Sequence, residues 1–198
     1  MRSILKPITL LFLLITTTTF AQTVANWAPV GTDFPINISG QINGLGRVCQ
    51  IQFDPINTQR MYAACVGGLF VSNDNGLSWT VTGTDRQLPP TACASACVDP
   101  TDNTILYLGT GDPNYYSTGF GVWKSSDAGI TWASSNTGMG NRLVVDIAVR
   151  PSDHQAVVAA TESGIYKSIN GGTSWALVKA GGDFKNMVRQ PGNDTVLF

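Results

Sequence analysis

The chain holds one histidine, His154, and one glutamate, Glu162, so any acid–base chemistry rests mainly on aspartates. Cleavage of a glycosidic bond needs two carboxylates at a set separation. Asp112 and Glu162 are the acids expected on a ligand-facing surface, with Arg47 and Arg142 as cationic companions. Asp112 also opens the run Asp112-Pro113-Asn114-Tyr115-Tyr116, where Asn114 offers hydrogen bonds and the two tyrosines offer stacking faces. No spacing pins two acids as a catalytic pair, so no catalytic residue is assigned. The role expected of these side chains is binding of glycan or protein. His154 lies in a turn, which leaves a Ser–His–Asp triad or a histidine metal site without support. No cofactor and no metal are expected.

Such side chains need a rigid scaffold, and internal repeats supply one. One pattern occurs three times: Gly, apolar, aromatic, any, Ser, any, Asp/Asn, any, Gly, any, Ser/Thr, Trp. Its fixed residues are Ser72, Asp74, Gly76 and Trp79, then Ser125, Asp127, Gly129 and Trp132, then Ser168, Asn170, Gly172 and Trp175. The Asp or Asn can accept backbone N–H groups of its own turn. The glycine can take positive φ, and the tryptophan offers a large apolar body for packing. Each box carries at most one carboxylate, far short of the six or more oxygens of a hard-cation site.

A second marker precedes each box. Short apolar strands end at Pro55, Pro100, Pro151 and Pro191, at intervals of roughly 40 to 50 residues. Each unit reads as four short strands, the signature of a propeller blade. The expected fold is therefore all-β: an incomplete β-propeller of four-stranded antiparallel blades, about three plus the start of a fourth. The units are expected near residues 46–82, 92–135, 142–179 and 184–198, with a lone strand near 25–31.

Strand order then sorts the acids. The proline turns and the boxes share one face of the blades. Asp33, Asp85, Asp112, Glu162 and Asp183 fall on the opposite face, with Arg47, Arg86, Arg142 and Lys185. Asp146 sits within an innermost strand, where it is expected to point at the central channel. Loops on a rigid scaffold commonly carry function, so the opposite face is the candidate binding surface.

Charged residues make up 13% of the chain and the net charge is -1, which excludes the basic stripe of a nucleic-acid binder. Residues 1–21 read as a secretory signal peptide. Arg2 and Lys6 precede the apolar run Ile8 to Ile15, and Ala21 ends a cleavage site. The protein is thus expected to be secreted or at the cell surface, with no membrane span after cleavage. Export makes disulfides possible. If Asp54 faces Arg60 across the proline turn, Phe53 faces Met61 and Cys49 faces Cys65, within disulfide range.

With these motifs in hand, the chain resembles the BNR/Asp-box β-propellers, which include sialidases, xyloglucanase-type hydrolases and sortilin-type receptors. Its motifs are similar to those of secreted Bacteroidetes-type proteins of the type IX secretion system. Gly46-Arg47-Val48, the three boxes and Gly109-Thr110-Gly111-Asp112 carry the likeness. It implies the fold far more strongly than the function. In xyloglucanase-type members a catalytic Asp precedes the Gly-Gly of the first blade, whereas here Cys65-Val66 precede Gly67-Gly68. The Arg-Ile-Pro motif of sialidases is also missing. A non-catalytic propeller that binds glycan or protein is therefore the favoured reading, and a glycoside hydrolase with catalytic residues outside this sequence is the alternative. The apolar ending Val196-Leu197-Phe198 reads as the middle of a strand, so the remainder of the propeller is expected beyond it.

Overall fold

The computed structural model describes residues 46–89, 92–114, 119–182, 184–189 and 196–197. The expected signal peptide, the lone strand near 25–31, Tyr115 and Tyr116 lie outside the described residues.

Three four-stranded antiparallel sheets follow one another in strict chain order. The first is β1 (Val48–Phe53), β2 (Met61–Cys65), β3 (Gly68–Ser72) and β4 (Thr80–Val81). The one-turn helix α1 (Thr84–Gln87) connects it to β5 (Cys93–Val98), β6 (Leu106–Thr110), β7 (Val122–Ser125) and β8 (Ala133–Ser134). The third is β9 (Val144–Arg150), β10 (Asp153–Thr161), β11 (Gly164–Ser168) and β12 (Ala176–Ala180). A two-stranded sheet, β13 (Val188–Arg189) with β14 (Val196–Leu197), begins a fourth unit. The first strands of neighbouring sheets lie side by side, β1 against β5 and β5 against β9. They are the innermost strands of an all-β, incomplete propeller. Helix α1 was not foreseen, because a single turn leaves no periodic signal. Among the described residues no helix is long and apolar enough to cross a membrane.

Alternation along the strands puts one row of side chains between each pair of blades. Tyr62, Ala64 and Leu69 of the first blade meet Ala96, Val98, Leu106, Leu108 and Trp132 of the second. Tyr107 and Val122 of the second blade meet Ile147, Val149, Val157, Tyr166 and Trp175 of the third. Leu69, Leu106, Leu108 and Ile165 are fully buried, and each contributes about 1.5–3 kcal/mol of transfer free energy.

The boxes close the β3–β4, β7–β8 and β11–β12 turns. In the first, Ser72 Oγ donates to Asp74 Oδ1 at 2.7 Å and accepts from the Gly76 N–H at 2.7 Å, while the Ser78 N–H donates to Asp74 Oδ1 at 2.9 Å. The second repeats this with Ser125, Asp127, Gly129 and Thr131. In the third, Asn170 Oδ1 accepts from Ser168 Oγ and the Ser174 N–H, and its amide nitrogen donates to Ser174 Oγ at 2.8 Å. Gly76, Gly129 and Gly172 sit at φ 86°, 90° and 84°, a region that side chains rarely adopt. On the same face, Asp54 and Asp99 are buried and cap their proline turns through the Ile56 and Thr101 N–H groups, each at 2.8 Å.

The expected Cys49–Cys65 disulfide does not form; all four cysteines are free thiols. Phe53 does face Met61, but the register shifts between Val48 and Gln50, so Val48 rather than Cys49 opposes Cys65. The extra residue of this bulge is Cys49, which leaves the ladder unpaired.

Candidate functional site

On the face opposite the boxes, the ends of β1, β5 and β9 open onto a cavity of about 320 Å³. Arg47 and Gln50 line it from the first blade, Asn114 from the loop after β6, Asp146 from β9, and Lys185 from the segment before β13. A second cavity, about 600 Å³, lies between the first and second blades, and Asp85 and Asp112 reach it.

Arg47 and Asp112 form an ion pair across 65 positions of sequence. The Asp112 carboxylate is almost fully buried, while the guanidinium is about one-third exposed. Asp112 Oδ1 also accepts the Asn114 N–H at 3.0 Å, which closes the loop after Gly111 as an Asx turn. The Asn114 amide, oriented by its hydrogen bonding, turns its oxygen to Arg47 Nε at 2.9 Å and Nη2 at 3.2 Å. The guanidinium is thus held by two groups from one loop, and its geometry suits such bidentate contacts. The start of the first blade and the β6–β7 loop are tied together at the cavity rim.

Arg142 and Glu162 form a separate ion pair at 3.8 Å, both ends partly exposed. Neither lines the cavity that holds Arg47 and Asn114. The fold therefore brings Arg47, Asp112 and Asn114 together and leaves Arg142 with Glu162 to one side.

Gln50 is a cavity residue that sequence reasoning missed. Its amide donates to Asp146 Oδ1 at 3.2 Å, and the Ile147 and Met187 N–H groups complete the carboxylate's shell at 2.9 and 2.7 Å. Burial pushes the Asp146 carboxyl above its usual range, and these hydrogen bonds oppose the shift. A signal was present: Gln50, Ser95, Asp146 and Asn186 stand at one position relative to Pro55, Pro100, Pro151 and Pro191. Among the described residues no cluster of His, Cys, Asp and Glu gathers to hold a metal ion.

Comparison with known proteins places this geometry among the propellers. An ancestral GH74 enzyme superposes with a TM-score of 0.60 at 21% identity, covering 69% of this chain and 19% of that one. YCF48 bound to D1 peptide gives 0.52 at 15% identity, over 76% and 48%. The chain has the β-propeller fold. By sequence it is similar to the xyloglucanase Xgh74A of Acetivibrio thermocellus, 32% identical over 98 residues. That match covers 42% of this chain and 11% of the relative. A xyloglucanase of a Paenibacillus species is 28% identical over 192 residues, 77% of this chain and 18% of the relative. No family model matches the chain. The chain spans less than a fifth of the length of these relatives. Both relatives are xyloglucanases by name, and the favoured reading of a non-catalytic module finds no support in them.

Proposed function

We propose that this chain is part of an exported, xyloglucanase-like propeller whose loop face binds a plant-type glycan. In this reading residues 1–21 act as a cleaved signal peptide, and the boxes support a likeness to BNR/Asp-box proteins, including secreted ones of the type IX secretion system. The observation that carries the glycan reading is the rim cluster Arg47–Asp112–Asn114, which sets polar groups over a concave site on a rigid scaffold. The names of the sequence relatives point to xyloglucan as the glycan. Arg142 and Glu162 extend the polar surface beside it, and Tyr115 and Tyr116 follow Asn114 directly in the chain.

Hydrolysis by the whole protein is the second reading, favoured by those same names. Among the described residues the cavity lining holds one carboxylate, Asp146, with both oxygens already accepting hydrogen bonds. Glycosidic cleavage needs a second acid. Titration calorimetry of the full chain with xyloglucan oligosaccharides tests the binding reading. Binding is expected, weakened about tenfold by Asn114→Ala, the loss of one good polar contact. No heat at millimolar sugar, or equal affinity in the variant, would sink it.

A further inference from the structure

The innermost strands carry a feature that the rim cluster does not use. Gln50, Ser95 and Asp146 occupy equivalent positions in β1, β5 and β9. Beside each of them the ladder is interrupted. The register shifts between Val48 and Gln50, between Cys93 and Ser95, and where Asp146 and Val144 oppose Ala160 and Thr161. A bulge re-aims the side chain next to it, and bulges favour the neighbourhood of functional sites. Here Gln50 and Asp146 reach the cavity.

Their hydrogen bonds run from blade to blade. Gln50 Oε1 accepts the Ala96 N–H of the second blade at 2.6 Å, and its Nε2 donates to Asp146 of the third. Asp146 Oδ2 accepts the Met187 N–H, at the start of the fourth unit, at 2.7 Å. Ser95 Oγ donates to the Val144 carbonyl at 3.4 Å. Ala96 and Met187 are themselves equivalent, each one residue past the polar position. The polar side chain of one blade thus takes a backbone N–H of the next, twice in the same way.

We propose that this bulge-borne polar position is a blade-to-blade staple, and that Asp146 is the positioning residue of the loop-face cavity, fixing the first blade and the start of the fourth unit around it. The cavity's ligand rests on the glycan reading; the staple does not. An aspartate suits the task because its two oxygens accept on two sides. Asparagine has one acceptor oxygen and would turn an NH₂ toward a donor. The charged and titratable groups around Asp146 are Arg47 and Cys49 from the first blade, Lys185 ahead of β13, and Asp112 behind Arg47. Burial disfavours the charge on Asp146 and its hydrogen bonds oppose that penalty, a cost in stability that fits a positioning role.

Residue-resolved amide exchange of the full chain tests this in the wild type, Asp146→Asn and Gln50→Ala. Asp146→Asn is expected to speed exchange at Met187 about tenfold or more, since a hydrogen bond to a charged group is lost, and to leave Ala96 within about twofold. Gln50→Ala is expected to do the reverse. The wild type supplies a readout that needs no variant: the Met187 amide resonance should titrate together with the Asp146 carboxyl. Parallel acceleration of both amides in both variants, or a Met187 resonance that ignores the Asp146 titration, overturns the staple. Xyloglucan affinity is measured alongside, and Asp146→Asn is expected to lower it about tenfold, one hydrogen-bonded contact's worth. Unchanged affinity in a variant that exchanges as expected overturns the positioning role. A wild type that binds no xyloglucan defeats the glycan reading alone, and the exchange pattern still decides the staple.

Discussion

Trp175 Nε1 donates to the backbone carbonyl of Ser135 at 2.7 Å, so the third box is fastened to the blade before it. Ser135 Oγ returns a bond to the Gly172 carbonyl at 2.6 Å, and Tyr107 Oη and Lys124 Nζ both reach the Gly171 carbonyl. The second box is gripped in the same sense from the first blade. Gln87 of α1 donates to the Ile130 carbonyl at 2.9 Å and accepts the Trp132 N–H at 2.8 Å. The second and third boxes are therefore turns closed by their own Asp or Asn and clamped from the preceding blade. The box carboxylates are committed to structure, which leaves ligand chemistry to the other face.

That commitment predicts an acid-side signature. Hydrogen bonds from Ser78 and Ser72 lower the Asp74 carboxyl to about 2, and Thr131 and Ser125 lower Asp127 in the same way. A lowered carboxylate stabilises the fold above its unfolded value and loses that contribution as pH falls through the folded one. The window for Asp74 is between about pH 4 and pH 2. Asn170 does not titrate. Melting temperature followed across this range should fall less steeply in Asp74→Asn and more steeply in Asn170→Asp. Identical acid limbs in all three proteins would contradict the assignment.

Asp146 has the opposite sign. Its carboxyl is raised, so its contribution is present below the unfolded value and lost as pH rises through the folded one. Replacing it with Asn is expected to flatten the decline in melting temperature on that upper side. A variant whose profile keeps the wild-type slope there would count against the shift.

The cysteines give a chemical test of the bulge. Burial raises Cys65 to about 11 and Cys93 to about 12, while Cys49 is only half-buried. The thiolate is the reactive form, and at pH 8 roughly one part in a thousand or less of Cys65 and Cys93 is thiolate. Thiol titration should label Cys49 first in the folded protein and all four cysteines after denaturation. Finding only two thiols in the denatured, unreduced chain would restore the disulfide and contradict the register seen here.

The blade interfaces predict a contrast between two leucines. Leu69 is fully buried between the first and second blades, whereas Leu77 is 80% exposed in the first box. Leu69→Ala should cost about 2–5 kcal/mol in denaturant unfolding, and Leu77→Ala less than about 0.5 kcal/mol. Equal losses would mean that the interface is not packed in this way.

Sequence made the boxes legible because their bonds are local: Ser72 reaches two residues to Asp74, and Asp74 four residues to Ser78. The four-strand periodicity followed from the same local signals. The rim cluster was only half legible. Arg47, Asp112 and Asn114 were assigned to one face by strand order, but an ion pair spanning 65 positions depends on how two blades pack. Arg142 and Glu162 were assigned to the same face and stand apart from the cavity, because strand order gives a face and not a distance. The bulge at Cys49 left no mark in the residues themselves and undid the disulfide. Gln50 went unnoticed because one polar residue in a short strand reads as exposed surface until the four proline turns are aligned.

The most direct test of the central claim is a chemical-shift map of the full chain titrated with a xyloglucan oligosaccharide. Shifts are expected at Arg47, Asn114 and Lys185 on the loop face, with Ser78, Thr131 and Ser174 of the boxes unmoved. Shifts concentrated on the box face, or none at saturating sugar, would contradict that claim.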